Sequence, residues 1–160
     1  MDLILLRHGK AEMFNAQGDG ARTLTDKGRE QVRQAARVLK QAKWLPDIVL
    51  TSPLVRARQT ADEFCETAVI PGAIIQGWLA CGMKPELALQ ELVAFQDFNR
   101  VAIVGHEPDL SELIEWLLRA SGASVEVKKG AVACLKINPP ARHGSLVFLI
   151  PPRFTEAPPP

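Results

Sequence analysis

The chain opens Asp2-Leu3-Ile4-Leu5-Leu6-Arg7-His8-Gly9, and this stretch limits the fold more than any other. An unbroken aliphatic run this short has no polar alternation, so it reads as a strand buried on both faces, as in a parallel sheet. The run stops at a cation, an imidazole and a glycine. Reactive groups of open α/β sheets sit just past the carboxyl ends of the strands, and Arg7 and His8 stand there. An arginine can grip an oxyanion through two parallel hydrogen bonds. A histidine can attack an electrophile or move a proton. Gly9 admits a turn and the close approach of a ligand.

The same grammar recurs along the chain. A polar loop over 10–24 leads to Thr25, a plausible N-cap without a capping-box acid, because Gly28 stands three residues on. Val32, Ala35, Ala36 and Leu39 then repeat at helical spacing. Asp47–Thr51 reads as a second buried strand, and Ser52-Pro53 as a capping hydroxyl with proline at the first helical position. Ala73–Ile75 gives a short third strand, residues 77–84 a loop, and Pro85 a helix to about Phe95. Arg100–Gly105 is a strand ending in His106, and Pro108-Asp109 opens a helix to Leu118. Two β segments, about 131–137 and 145–150, close the pattern with a loop between them. The expected fold is α/β, a three-layer sandwich: a mostly parallel central sheet, helices on both faces, and an antiparallel edge near the C-terminus. Residues 1–151 are expected to form one domain, and the Pro-rich stretch 152–160 a disordered tail.

Three of these strands end in groups suited to an anion: Arg7 and His8, then Ser52 with Arg56 one helical turn on, then His106. Parallel strands put their carboxyl ends on one edge, so these groups should meet. The net charge is only +1, so any pull on an anion must come from such a local cluster, and nothing overall points to nucleic acid. The three cysteines, Cys65, Cys81 and Cys134, are odd in number and widely spaced, which suits reduced thiols and a cytoplasmic location. The amino terminus lacks the basic region of a signal peptide, and no segment approaches a membrane span.

Leu6-Arg7-His8-Gly9, Ser52-Pro53-Leu54-Val55-Arg56-Ala57-Arg58-Gln59-Thr60 and Val104-Gly105-His106 together resemble the histidine phosphatase, or phosphoglycerate mutase-like, superfamily. The resemblance covers about residues 1–120 and includes Arg22-Thr23-Leu24-Thr25 with Gly28. Within the superfamily the chain looks most like the SixA branch, the phosphohistidine phosphatases. The resemblance implies that His8 is the nucleophile of a covalent phosphohistidine intermediate. It implies that Arg7, Arg56 and His106 hold the phosphoryl oxygens, with no metal and no cofactor. Gly9, Ser52 and Arg22 are secondary candidates for binding phosphate or substrate; Ser52 is otherwise a helix cap, and Arg22 otherwise the partner of Asp19 in a loop ion pair.

Many members of that superfamily protonate the leaving group with a carboxylic acid after the third strand. Here Gln76–Gly82 offers none, so the candidates are Glu86 and Glu107. A missing acid matters less for phosphohistidine, whose imidazole can leave already protonated. The expected partner is therefore a phosphohistidine protein, or otherwise a small phosphorylated substrate; membranes are not expected partners, and the oligomeric state is left open. The alternatives are a small-molecule phosphomonoesterase using Glu86 or Glu107, and a non-catalytic phosphate-binding module. A metal hydrolase built on His8, His106, Glu107 and Asp109 lacks a recognised ligand spacing. A second Arg-His-Gly at 142–144, after Pro139-Pro140, reads as a loop, and Arg58, Lys128 and Lys129 as surface charges.

Overall fold

The structure, a computed structural model, describes residues 1–155. Strands β1 (Asp2–Arg7), β2 (Ile48–Thr51), β3 (Ile74–Ile75) and β4 (Arg100–Gly105) are parallel. Strands β5 (Val132–Asn138) and β6 (Ala141–Ile150) add an antiparallel pair beside β1. The single sheet has the order β3-β2-β4-β1-β5-β6. The helices are α1 (Asp26–Gln41), α2 (Val55–Ala68), α3 (Pro85–Leu92) and α4 (Asp109–Leu118).

The two-residue period of β1 sorts its side chains between two cores. Leu3 and Leu5 face the core built with Leu89 and Leu92 of α3 and Leu113 and Leu117 of α4. Ile4 and Leu6 face the core built with Val32 and Leu39 of α1 and Ala61 and Phe64 of α2. Both faces of the strand are covered, which is why its sequence carries no polar alternation. The result is the expected three-layer α/β sandwich with its antiparallel edge.

Three local expectations are corrected. Strand β6 begins at Ala141, so Arg142-His143-Gly144 lies in an edge strand and not in a loop. The prolines sit in the turn, and a half-solvated edge strand tolerates the polar residues that follow. Arg142 stacks over the Trp116 ring at 4.6 Å, and a Cβ on Gly144 would stand 3.2 Å from Leu117, so this triplet serves packing against α4. Helix α2 starts at Val55, with Pro53 outside it and Leu54 at the N-cap. The stretch expected as a loose tail starts with a 3-10 turn over Pro152–Phe154, in which Pro152 is buried; residues 156–160 lie outside the described residues.

Thr25 caps α1, its hydroxyl accepting the Gly28 N–H at 3.1 Å. A capping-box acid at Gly28 is impossible for a steric reason. A Cβ there would sit 2.0 Å from the Lys10 carbonyl oxygen, and one on Gly9 would sit 2.5 Å from the Gly28 carbonyl oxygen. The loop leaving His8 thus lies directly against the helix backbone. Gly9 serves this close approach of two backbones. Gly28→Ala is expected to cost about 2–3 kcal/mol or more of stability through overpacking, measured by urea unfolding, with the secondary structure retained.

Candidate active site

The register sets the site. Leu6 of β1 and Thr51 of β2 both pair with Val104 of β4, so three strands end at one level. Just past that level, the His8 N–H donates to the Gly105 carbonyl at 3.1 Å and the Ser52 N–H to the Val104 carbonyl at 3.1 Å. The His8 and His106 rings come to 5.3 Å between centroids, tilted by 53°. Both are buried.

His8 Nδ1 lies 2.8 Å from the Gly9 carbonyl oxygen. A carbonyl only accepts, so Nδ1 carries the proton and the lone pair of the neutral ring is on Nε2. That lone pair faces Arg56, whose Nε donates to it at 3.3 Å. Burial pushes the His8 pKa down to about 3, with the charges of His106, Arg56 and Arg7 acting in the same direction. His106 is lowered to about 4, first by burial and then by Arg56, with Asp19 opposing. Both rings are neutral at pH 7 in the absence of an anion.

Arg56 projects from the first turn of α2, only 3% exposed. Thr60 fixes that turn: its hydroxyl donates to the Arg56 carbonyl at 2.7 Å and accepts the Gly9 N–H at 3.1 Å. Ser52 is fully buried and its Oγ lies 2.7 Å from His106 Nε2. Ser52 therefore holds the second imidazole and does not cap α2. Arg7 donates through one terminal nitrogen to the Val127 carbonyl at 2.7 Å. Its charge is still close enough to depress both rings. Asp109, buried at the start of α4, accepts the N–H groups of Gly82 and Met83 at 2.8 and 3.3 Å. That pins the loop whose Cys81 Sγ lies 3.6 Å from Arg56.

Asp19 is the residue that the sequence reading did not place at the centre. Its carboxylate bridges Arg22 at 2.8 Å and Arg56 at 3.1 Å, and its carbonyl accepts a further Arg56 N–H at 2.9 Å. Arg22 is thus in the Asp19 ion pair and beside the site at once. The signal was present as an acid three residues before Arg22, but nothing in the spacing shows the loop folding over α2. The two carboxylates expected as proton donors separate. Glu86 is exposed in the first turn of α3, and among the described residues no ion pair or hydrogen bond joins it to Arg7, His8, Arg56 or His106. Glu107 is half-buried, hydrogen-bonded by Ser111, and has its pKa raised by burial against the opposing pull of Arg7.

Among the described residues several buried polar atoms here have no hydrogen-bond partner: Arg7 Nε, Arg22 Nε, His106 Nδ1 and Glu107 Oε1. Unpaired buried donors are costly, and three of these four are nitrogens that could serve an oxyanion. Among the described residues no group of three His, Cys, Asp or Glu side chains is placed to hold a metal ion, and no helix is long and apolar enough to cross a membrane.

Comparisons with known proteins give the family and the fold. The family model of the histidine phosphatase superfamily (branch 1) matches residues 3–78. Phosphohistidine phosphatase SixA of Escherichia coli is 36% identical over 117 residues, covering 71% of this chain and 72% of that protein. The solved structure of the protein histidine phosphatase SixA complexed with tungstate superposes with a TM-score of 0.88 at 26% identity, over 98% of this chain and 100% of that one. The alpha-ribazole phosphatase of Shigella flexneri shares the fold, with a TM-score of 0.72 at 21% identity over 95% and 97% of the two chains. The fold and site define a hydrolase acting on phosphoryl groups. The chain belongs to the histidine phosphatase superfamily.

Two measurements follow from the geometry. Below the ordinary imidazole pKa of 6.5 the unfolded chain protonates both rings while the folded chain does not. Stability therefore falls as pH drops from 6.5 towards about 4, by up to about 1.4 kcal/mol per pH unit for each ring. His106→Gln should remove one proton's worth of that slope in urea unfolding followed against pH. Asp19→Asn, which frees Arg22 and Arg56 from a competing carboxylate, should tighten inorganic phosphate binding about threefold, the scale of an exposed ion pair. Calorimetric titration measures it; weaker binding would mean that Asp19 holds the arginines in place for the ligand.

Proposed function

We propose that this protein is a metal-independent phosphohistidine phosphatase acting on phosphoproteins through a covalent intermediate on His8. The observation that carries this is the state of His8: a neutral, tautomer-fixed imidazole whose lone pair faces a buried guanidinium. A binding module has no need of a nucleophile held in that form.

In the proposed reaction the phosphoryl oxygens take the hydrogen bonds of Arg56, Arg7, Arg22 and His106. Arg56 Nε passes from the ring nitrogen to an oxygen, which releases the lone pair. His8 Nε2 attacks phosphorus in line as the P–N bond to the substrate imidazole breaks. The leaving imidazole keeps the electron pair of that bond and departs neutral, since its other nitrogen already carries a proton. Water then attacks the phosphorus on His8, the P–N bond breaks, and inorganic phosphate and free imidazole result. The bound dianion raises the pKa of His106, so its second proton arrives with substrate. Catalysis is positioning and charge stabilisation by fixed cations. The likeness to SixA, solved with tungstate, supports this substrate class and a ligand of oxyanion type. The buried free thiols Cys65 and Cys134 support a reducing, cytoplasmic compartment, and the whole site lies within the proposed domain 1–151.

A second reading, a small-molecule phosphomonoesterase, is favoured by Glu107. A carboxyl raised in pKa near Arg7 is fit to protonate an alkoxide. The fold shared with a small-molecule phosphatase is compatible with it.

The test compares turnover of a phosphohistidine protein with that of sugar phosphates and p-nitrophenyl phosphate, with and without EDTA. The phosphohistidine protein should be preferred and EDTA should have no effect. His8→Ala should abolish turnover and the acid-labile label while keeping its circular dichroism spectrum. Arg56→Ala should lower kcat by about 10²–10³, the loss of one preorganised donor. A preference for phosphate esters that disappears in Glu107→Gln would establish the second reading instead.

A further inference from the structure

A cavity is walled in part by Arg7, the residue that precedes His8. Its volume is about 660 Å³, within the range of about 300–1,000 Å³ usual for ligand sites. It is lined by Arg7, Lys128, Lys129 and Arg153 against a single acid, Glu126, with Leu149 and Pro151 among its apolar walls. Glu126 pairs with Lys128. Four of the 19 basic residues of a chain with net charge +1 therefore gather on one cavity.

This cavity is fastened to the nucleophile. The Gly130 N–H donates to the carbonyls of both Arg7 and His8 at 3.2 Å, and the Arg7 N–H donates to the Ala131 carbonyl at 3.2 Å. The Ala131 N–H closes a turn on the Lys128 carbonyl at 2.8 Å. The backbone that carries Lys128 and Lys129 is thus held to the backbone that carries His8. Arg7 belongs to both places, lining the cavity and acting on the rings. Lys128, Lys129 and Arg153 all lie beyond the family match at residues 3–78.

We propose that this basic cavity receives an acidic segment of the phosphoprotein substrate, next to the phosphohistidine that enters the ring pair. The inference rests on the phosphohistidine reading above and adds the sequence context of the substrate. A phosphoryl dianion alone is satisfied at the rings and arginines. The cavity has room for several further residues, and carboxylates complement its charge. Its lysines are exposed, so they act at the rim by steering and selection.

The experiment uses short phosphohistidine peptides flanked by glutamates or by lysines, together with free phosphohistidine. For the wild type, kcat/KM should favour the glutamate-flanked peptide by about tenfold, and added salt should erode that preference. The Lys128→Glu/Lys129→Glu variant should lose the preference while turning over free phosphohistidine within about twofold of the wild type, because these rim charges touch no reacting atom. Lys40→Glu/Lys43→Glu, the same charge change at the far end of α1, should keep it. An unchanged preference in Lys128→Glu/Lys129→Glu, or an equal loss on free phosphohistidine, overturns the proposal. Anisotropy of the labelled, unphosphorylated glutamate peptide reads the cavity without chemistry. Binding that is indifferent to the double reversal, or is outcompeted by a DNA oligonucleotide at lower concentration than by the peptide itself, also overturns it. Failure of the wild type to hydrolyse free phosphohistidine would instead strike the phosphohistidine reading.

Discussion

Everything at the site depends on the last two carbonyls of β4. That strand lies between β2 and β1, and its Val104 and Gly105 carbonyls accept the N–H groups of Ser52 and His8. The ladder therefore runs one residue past each strand and fixes the first loop residue on both sides. His106 follows directly on the same chain. Three segments, each about a third of the sequence from the next, are brought together by backbone hydrogen bonds before any side chain takes part. Rigid elements place reactive groups more finely than loops do, and these groups sit on the last rigid residue available.

Upon this frame stands an electrostatic conflict. Two imidazoles are buried among three guanidiniums in a protein of nearly zero net charge. Desolvation and like charge both disfavour protonation, so the rings stay neutral and the unpaired donors stay unpaired. The same arrangement weakens the fold in acid and suits it to an anion. Asp19 relieves part of the conflict from a 3-10 turn over Asp19–Ala21, lending its exposed carboxylate to Arg22 and Arg56. A phosphoryl group offers more oxygens and more charge to the same donors, so it can compete with that carboxylate.

The strand ends were legible in the sequence because each is an aliphatic run that stops abruptly, and buried parallel strands leave few other readings. Arg7, His8 and His106 stood out as candidates for the same reason, and Arg56 by its place one helical turn past Ser52. What was not legible depends on contacts without a local signature. Ser52-Pro53 carries the usual marks of a helix start, yet the Ser52 hydroxyl is taken by a ring 54 positions away. Gly28 reads as a missing capping acid, yet the Lys10 backbone lies directly against it. Thr60 looked like one more residue of a helix, yet it ties α2 to Gly9. Lys128 and Lys129 read as solvated charges, which their exposure supports, but exposure says nothing of the cavity they face. The start of edge strand β6 was not legible because Arg142-His143-Gly144 interrupts an aliphatic pattern that only buried strands must keep.

Arg7 links the two halves of the molecule's chemistry. As the last residue of β1 it has the backbone of β4 on one side and the 127–131 segment on the other. One terminal nitrogen of its guanidinium is held by the Val127 carbonyl, while its charge reaches the rings. A residue placed this way cannot be altered to change substrate preference without altering the chemistry too. In the proposed reading selectivity is carried by neighbours that share its cavity but not its reach, the lysines after Val127 and the arginine of the 3-10 turn at Pro152–Phe154. The division follows from the sheet: β1 and β4 hold Arg7, His8 and His106 in place by backbone hydrogen bonds, while Lys128, Lys129 and Arg153 stand on the chain after α4.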